Sequence, residues 1–182
     1  MPASALVRPA TVQDASAMAA IQARAWTQVF GTLFPELPAA LDPAATAKAW
    51  RQAVTLAAGG GPYAVFAATD PAGPTSITVG FAALGPLLDP DGGKGAAELV
   101  ALHVDPPHQR QGHGSRLLAA VADAARSPSN VATRLSTWVA VADVVRQRFL
   151  KQAGFGADGA TRAWHTDAGS LVDEQRWSAR LD

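Results

Sequence analysis

Two stretches near the start of the chain carry apolar residues every three or four positions, which is the spacing of one face of an α-helix. The first set is Met18, Ile21, Ala25 and Val29, and the second is Ala45, Ala49, Trp50 and Val54. Thr11 and Asp14 form a variant of the helix capping box before the first set. Asp42-Pro43 places an N-cap and a first-turn proline before the second. The pattern predicts two consecutive helices, preceded by one short strand at residues 5–8.

Strand-like segments follow these two helices. Residues 63–69 and 77–84 are mostly apolar and flank Asp70-Pro71-Ala72-Gly73-Pro74, a strong turn sequence, so they predict a hairpin. A third strand is predicted at residues 98–104, after a polar, glycine-rich loop at 89–95. Helix and strand then alternate: the predicted elements are a helix at 112–126, a strand at 134–141, a helix at 143–152, and two strands near 155–164 and 171–179.

The predicted order is β-α-α-β-β-β-α-β-α-β-β. A strand, a crossover helix and a second strand between Glu98 and Val141 imply one central parallel pair, whereas the hairpins imply antiparallel neighbours. The sequence therefore predicts an α/β fold, in which helices cover both faces of a mixed sheet. Because the chain has no internal repeat, low-complexity segment or linker, we expect a single domain over residues 1–182.

The composition narrows the function classes. Fifteen Lys and Arg balance fifteen Asp and Glu, so the basic excess of a nucleic-acid binder is missing. The chain has no Cys, which excludes disulfides, thiolate zinc sites and a cysteine nucleophile. No stretch approaches the ~20 apolar residues that span a bilayer, and the N-terminus lacks the pattern of a signal peptide. We therefore expect a cytoplasmic protein with no membrane or nucleic-acid partner.

Residues 102–118 carry the clearest chemistry. They predict a buried strand, a proline-bounded turn and a helix that opens at Gly112-His113-Gly114. The amides of a first helical turn have no intrahelical acceptor, and the helix dipole adds roughly half a positive charge there. Glycine lets a ligand approach this backbone closely, so the turn suits a diphosphate. The alternative is an ordinary helix start in which glycine only eases the turn. A P-loop is excluded because no Gly-Lys-Ser/Thr follows, and a Rossmann loop because the third glycine is missing.

Three segments resemble the GNAT acetyltransferase superfamily. Gln109-Arg110-Gln111-Gly112-His113-Gly114, which follows Val104-Asp105-Pro106, resembles the acetyl-CoA signature of these enzymes. The segment from Trp138 to Gly154-Phe155 resembles their strand-helix unit, and residues 7–15 resemble their first strand and helix start. The resemblance implies a GNAT-like fold and an acetyl-CoA-dependent N-acetyltransferase. In such an enzyme a primary amine attacks the thioester directly, without a covalent enzyme intermediate.

The resemblance also implies which residues bind the cosubstrate. At the splayed end of the strand, the backbone of Leu102, His103 and Val104 would lie beside the pantetheine arm and the acetyl carbonyl. The amide of Val104 would donate to the oxyanion. The pyrophosphate-binding turn would comprise Gln109, Arg110, Gln111, Gly112, His113, Gly114 and Ser115. Asp143 stands where many relatives have Asn, beside the pantetheine and the adenine side of the cosubstrate.

One position departs from the family pattern. Seven residues after Asp143, where many relatives carry a tyrosine that protonates the leaving thiolate, this chain has Leu150. A positioned general acid contributes roughly 10²–10⁴-fold to a rate. A thiol pKa near ~8.5 makes thiolate departure only mildly unfavourable, so transfer does not require the tyrosine. Leu150 nevertheless motivates an alternative, an acyl-CoA-binding module with little or no transferase activity. A structural domain that binds no coenzyme A is the third alternative.

An amine acceptor must lose a proton before it attacks the thioester. Glu98 is the candidate general base because it begins the strand that would end at the thioester. The alternative is an ordinary polar residue at a strand end. His103 lies on the same strand, but alternation directs it away from Glu98, so we expect it to be buried in the core. His108 and His113 are five residues apart, a spacing that does not align on one helix face, so we expect no metal site.

The sequence does not identify the acceptor amine. Residues 31–41 resemble the variable region that shapes the acceptor site in the family, so we expect only a small-molecule or peptide amine. Trp164 and Trp177, on the last two strands, fit the core or an acceptor pocket equally well, whereas Trp138 and the two helical tryptophans are expected in the core. Homodimers are common among relatives, and nothing in the sequence identifies the surface that would form one.

Overall fold

A computed structural model describes residues 6–70, 76–93 and 95–181 of the chain. Its strands are β1 (Leu6–Pro9), β2 (Ala64–Asp70), β3 (Ile77–Pro86), β4 (Ala96–Val104), β5 (Arg134–Ala140), β6 (Gly156–His165) and β7 (Leu171–Arg180). Its helices are α1 (Ala15–Phe30), α2 (Glu36–Ala39), α3 (Pro43–Ala58), α4 (His113–Arg126) and α5 (Val144–Gln152), with 3-10 turns at Val12–Asp14 and Pro106–His108. Residue 5 of the predicted first strand, most of the predicted turn at 70–74 and residue 94 lie outside the described residues.

The seven strands form one sheet in the order β1-β2-β3-β4-β5-β7-β6. Every neighbouring pair is antiparallel except β4 and β5, which are parallel. The predicted mixed sheet and its central parallel pair are therefore confirmed. Two details differ. The sequence did not predict α2, a single turn that begins after Pro35, and β4 begins at Ala96 rather than at Glu98.

Helices cover both faces of the sheet, as predicted. On the α4 face, α4 and α5 pack against the strands through a core that includes Leu117 and Leu150. On the opposite α1 face, residues of α1 and α3 such as Ile21 contact Phe81 of β3. A smaller cluster joins Leu37 of α2 to the β5–β7 part of the sheet. No helix within the described ranges is long and apolar enough to cross a membrane.

A bulge in β4 changes which side chains share a face. Leu99 and Ala101 pair with consecutive residues of β3, so Val100 between them has no partner on that strand. Leu99 and Leu102 both pack in the core of the α4 face, whereas Ala101 packs on the α1 face. The extra residue therefore reverses strand alternation beyond Val100.

Candidate active site

β4 and β5 stay together for only three residue pairs, and the ladder ends where Glu98 faces Ser136. One residue further, the Thr137 hydroxyl donates a 2.8 Å hydrogen bond to the Leu99 carbonyl. Beyond this point no further β4–β5 pair occurs among the described residues, although both strands continue. The result is a gap at the centre of the sheet, in the place where the sequence predicts a splayed strand end.

The backbone of β4 points into this gap at alternate residues. The Leu102 carbonyl accepts a 3.0 Å hydrogen bond from Arg146 Nη1 of α5. Three residues later, just beyond the end of β4, the Asp105 amide points the opposite way and donates to the Val79 carbonyl of β3 at 2.8 Å. Because the N–H and C=O of one strand residue point to the same side, the amides of Leu102 and Val104 face the gap. This orientation supports the backbone roles predicted for both residues.

His103 lies the other way. Its backbone is oriented towards Phe81 of β3, with which it pairs, and its ring packs against the Phe81 ring with centroids 5.3 Å apart. This orientation gives no support to the predicted contact of His103 with the cosubstrate, because neither its backbone nor its ring faces the gap between the strands. The contact stays a prediction.

The turn after β4 leads into α4 at Gly112, which has a φ of +83°, in the left-handed region that favours glycine. The first intrahelical bond runs from the Arg116 amide to the Gly112 carbonyl at 3.1 Å. The amides of His113, Gly114 and Ser115 precede that bond and point out of the helix end. With the helix dipole they form a site suited to an anion.

The backbone at Gly114 and at Arg110 shows how the turn is adapted to a ligand. A methyl group added at Gly114 would lie 3.6 Å from the Phe149 ring and 3.8 Å from Val104, which is ordinary contact. Packing therefore does not require glycine there, and its effect is to leave the helix end open to a ligand. Arg110 has a φ of +62° despite its side chain, and strained backbone of this kind concentrates at binding sites.

Three of the predicted binding residues use their side chains within the protein. Gln109 Nε2 donates to the Val104 carbonyl at 3.1 Å and to Gln28 at 2.9 Å. The His113 side chain is buried, so it offers a ligand only its amide. Asp143 caps α5, and its carboxylate accepts the Arg146 amide at 3.0 Å. The side chains of Arg110, Gln111 and Ser115 are exposed around the helix end, although Gln111 Nε2 also donates to the Pro107 carbonyl at 3.4 Å.

A residue pair that sequence reasoning missed fixes the turn. Arg24 of α1 donates two hydrogen bonds to Asp105, Nε at 2.7 Å and Nη2 at 2.9 Å. Asp105 is buried directly after β4, and its carbonyl accepts the His108 amide at 2.8 Å. The pair ties α1 to the turn that carries the binding amides, and its partners are too far apart in the sequence to give a local signal.

Glu98 lies where the gap opens, on the α1 face, because its neighbour Leu99 packs on the α4 face. Burial raises the pKa of Glu98; the Arg162 charge lowers it by less, and Asp89 and Glu174 raise it further. A carboxylate with a raised pKa is a better base near neutral pH. The position and the pKa direction both support Glu98 as the general base.

The bulge at Val100 puts His103 on the same face as Glu98, which corrects the prediction that the two point apart. They are five residues apart on an extended strand, roughly 16 Å, so they do not interact directly. Burial, with a smaller effect of Arg146, lowers the pKa of His103 to about 3. The imidazole is therefore neutral at physiological pH, in keeping with its predicted packing role.

Trp138 is not in the apolar core, contrary to expectation. Its Nε1 donates to Asp89 at 3.0 Å, and the Arg162 guanidinium lies 4.3 Å from its ring centroid. Arg162 also donates to Glu174 at 2.6 Å. Strand alternation contained the signal, because Trp138 lies on the opposite face of β5 from the buried Val139. Trp138 and its charged neighbours form a polar wall beside Glu98.

Trp164, Trp177 and Leu150 do not line the polar wall around Trp138. Trp164 packs with the α2 cluster, and Trp177 packs on the α4 face. Leu150, where the family tyrosine would stand, is fully buried in the α4-face core. Within the described ranges, no three His, Asp or Glu side chains are grouped as a metal site would require.

Comparison with known proteins agrees with this fold. The model of the acetyltransferase (GNAT) family matches residues 23–155, whereas no curated protein matches the chain in sequence. The paiA N-acetyltransferase of Thermoplasma acidophilum, solved in complex with coenzyme A, has a TM-score of 0.76 at 13% identity, covering 98% of this chain and 99% of that one.

Two further solved structures share the fold. The ribosomal-protein-alanine N-acetyltransferase of Brucella melitensis has a TM-score of 0.72 at 21% identity, covering 97% of this chain and 99% of that one. The ribosomal-protein-S18-alanine N-acetyltransferase of Escherichia coli has a TM-score of 0.63 at 20% identity, covering 98% and 95%.

The family match confirms the resemblance seen in the sequence and the prediction of an acyltransferase. The similar structures confirm the predicted fold. Enzymes of this family take their acetyl group from acetyl-CoA, the cosubstrate that the sequence predicts. The chain belongs to the GNAT family of acetyltransferases.

Proposed function

We propose that this protein transfers the acetyl group of acetyl-CoA to a primary amine by direct attack of the amine on the thioester. The observation that carries the proposal is the continuity of two binding features. The anion site at the start of α4 follows β4 through one short turn, and the open edge of β4 begins at that turn. A diphosphate on the first feature would leave the pantetheine arm to run along the second.

Glu98 is the proposed base. The acceptor amine is protonated in solution near neutral pH, and it must reach the thioester carbonyl as a free amine. Glu98 lies at the point where the strands separate, and its raised pKa favours proton uptake. The amide of Val104, or that of Leu102, would then donate to the oxyanion that forms when the amine attacks. No covalent step on the enzyme is required, and the chain has no Cys to provide one.

The acceptor is proposed to be a small-molecule or peptide amine that enters from the α1 face. Glu98, Trp138 and Glu174 border this approach, together with the cluster around α2. The seven strands form one sheet, which supports the proposal that the chain is a single GNAT domain. A homodimer and a cytoplasmic location stay predictions, and light scattering and cell fractionation test them.

Isothermal titration with acetyl-CoA, followed by thiol release against a panel of amines, tests the function. The key variant is Gly112→Leu. Its side chain would project from the helix end, and its Cβ would lie 3.2 Å from the flexible Arg116 guanidinium. We expect micromolar or tighter binding by the wild type and at least a tenfold loss in the variant. Gly169→Leu is the matched control, because Gly169 also has a positive φ (+87°) but has no heavy atom within 4 Å of an added Cβ.

Failure of the wild type to bind acetyl-CoA would refute the proposal, as would equal affinity in the two glycine variants. A second candidate is an acyl-CoA-binding module without transfer, and the apolar burial of Leu150 in place of a hydroxyl group favours it. Binding without thiol release, over amines that include amino acids, polyamines and peptides, would support this second candidate instead.

A further inference from the structure

The gap between β4 and β5 contains one cationic side chain that the proposed function has not used. Arg146 extends from the first turn of α5, and its Nη1 donates to the Leu102 carbonyl at 3.0 Å. Leu102 is one of the two residues whose amides face the gap. The guanidinium therefore lies against the stretch of β4 where the thioester is proposed to lie.

One hydrogen-bond donor of the Arg146 guanidinium has no acceptor in the described residues. A guanidinium has five N–H donors, and buried donors almost always have an acceptor. In the described part of the chain, Arg146 Nε is buried and has no hydrogen-bond partner. The site therefore has a donor in place for an acceptor that the protein itself does not supply.

The position of Arg146 on α5 is also informative. Arg146 and Leu150 are four residues apart on one helix, so their side chains lie on the same face, one turn apart. Leu150 stands where relatives carry a tyrosine, and it is fully buried. The face of α5 that turns towards the gap thus carries a guanidinium one turn before the position that lacks a hydroxyl.

The Arg146 guanidinium stays positively charged although it is buried. Burial lowers the pKa of the Arg146 guanidinium, while the nearby carboxylates of Asp143 and Glu174 raise it. Arginine starts from a pKa above 12 and is not deprotonated in proteins. A buried cation attracts a developing negative charge more strongly than an exposed one, because water screens it less.

We propose that Arg146 is a catalytic residue whose guanidinium pairs with the sulfur of coenzyme A as the thioester breaks, so that the thiol leaves as a stabilised thiolate. This inference rests on the proposed function. The amine nitrogen bonds to the carbonyl carbon, and the C=O π pair moves to oxygen. When that pair returns, the C–S bond breaks and its electrons go to sulfur. The guanidinium keeps its protons. The ammonium form of the acceptor loses one proton before attack, and the nitrogen of the tetrahedral intermediate loses a second; each passes to Glu98 and then to water.

Bound coenzyme A tests the role of Arg146 without turnover. An opposite charge within about 4–6 Å lowers the pKa of an acid by roughly 1–3 units. We therefore expect the bound thiol, followed through thiolate absorbance against pH, to titrate lower by that amount in the wild type than in Arg146→Met. Arg148→Gln is the matched control, because Arg148 is exposed on the same helix, and it should titrate like the wild type.

Turnover gives the second measurement. Loss of one donor to a developing anion costs roughly 10²–10³ in kcat, so Arg146→Met should lose that factor while coenzyme A affinity changes less than tenfold. Arg146→Lys keeps the charge and should recover part of both kcat and the low thiol pKa, and it serves if the Met variant does not fold. Circular dichroism checks folding.

The outcomes separate this inference from the proposed function. Tighter coenzyme A binding with unchanged kcat in Arg146→Met would show that Arg146 only fills the gap, and would overturn the inference. An unchanged thiol titration in both Arg146 variants would overturn it as well. In each case the wild type would still be an acetyltransferase. If the wild type neither binds coenzyme A nor releases thiol, the proposed function fails, and the role of Arg146 with it.

Discussion

Replacing Asp14 by Asn should destabilise the fold far more than neutralising an exposed carboxylate such as Asp123. Asp14 is only 5% exposed and pairs with Arg8, which is 36% exposed. Its carboxylate accepts two hydrogen bonds from Arg8 at 2.8 and 2.9 Å. It also accepts the Thr11 amide at 2.7 Å, the Thr11 hydroxyl at 2.9 Å and the Thr78 hydroxyl at 2.7 Å. The network joins β1, the start of α1 and β3.

The magnitude follows from burial and from the number of donors. Breaking a buried ion pair by removing one partner costs roughly 3–5 kcal/mol. Arg8 can regain water, so we expect the lower end, about 3 kcal/mol, out of a total stability of about 5–15 kcal/mol. For a chain of this size the melting temperature should fall by roughly 6–12 °C. Asp123→Asn is the matched control, because Asp123 also pairs with an arginine but is 75% exposed, and its loss should cost below about 1 kcal/mol.

The pH dependence gives an independent check. Burial alone would raise the pKa of Asp14, but the hydrogen bonds from Arg8, Thr11 and Thr78 outweigh it and hold the pKa well below its usual range. The stabilisation is therefore complete above the unfolded-state pKa of about 3.9, and it is lost as the pH falls towards the folded-state pKa.

Urea unfolding of wild type and Asp14→Asn between about pH 7 and pH 2 measures this difference. The difference in the free energy of unfolding should be largest at neutral pH and should shrink below about pH 4. A difference that stays constant with pH, or that is no larger than the one for Asp123→Asn, would refute the reasoning.

Three further predictions concern the site. Glu98→Gln should lower kcat/KM by roughly 10²–10⁴-fold. The wild-type kcat/KM should rise with pH through the raised pKa of Glu98, because the base acts in its deprotonated form. A Glu98→Gln variant with the same pH–rate profile as the wild type would exclude Glu98 as the base. Thr137→Val removes the donor to the buried Leu99 carbonyl and should cost about 1–3 kcal/mol in urea unfolding; Thr137→Ser, which keeps the hydroxyl, should leave more of the stability. Gly114→Ala should leave the melting temperature unchanged or slightly raised, because the added methyl makes ordinary contacts; a fall of more than about 4 °C would contradict that packing.

Local patterns were sufficient to predict most of the fold and the turn at the start of α4 that is proposed to bind an anion. The turn from Val104 to Gly114 could be interpreted because its chemistry depends on neighbouring residues: a strand end, prolines, glycines and a helix start. The same holds for α1 and α3, whose caps and apolar spacing lie within one segment. Such features depend on backbone rules that act over a few residues.

The bulge at Val100 could not be predicted in the same way. Leu99, Val100, Ala101 and Leu102 are all apolar. No polar residue therefore indicates which side chains of this stretch pack on the α4 face and which on the α1 face. A single extra residue then reverses every position after it. The orientation of His103 relative to Glu98 was wrong for this reason.

Long-range pairs were equally hidden. Arg24 meets Asp105, and Arg146 meets Leu102, across many intervening residues. Nothing near either arginine in the sequence indicates a buried partner, because only the packing of α1 and α5 on the sheet brings the groups together. Trp138 is different, because the alternation along β5 already places it on the opposite face from Leu135 and Val139. The general preference of tryptophan for cores does not hold at this position.

The short ladder between β4 and β5 has a consequence for how the molecule holds together. In the described part of the chain, β1–β4 and β5–β7 are joined along a seam by the three-pair ladder, by the Thr137 hydroxyl, and by the Thr133 and Arg134 amides, which donate to the Gly95 carbonyl just before β4. A pantetheine arm that accepted hydrogen bonds from the Leu102 and Val104 amides would extend this seam, so bound cosubstrate would strengthen the contact between the two halves of the sheet. In hydrogen-exchange measurements on the protein without coenzyme A, the amide protons of Leu102 and Val104 should therefore exchange faster than the others in β4. Added coenzyme A should slow the exchange of these two amides more than that of any helix amide.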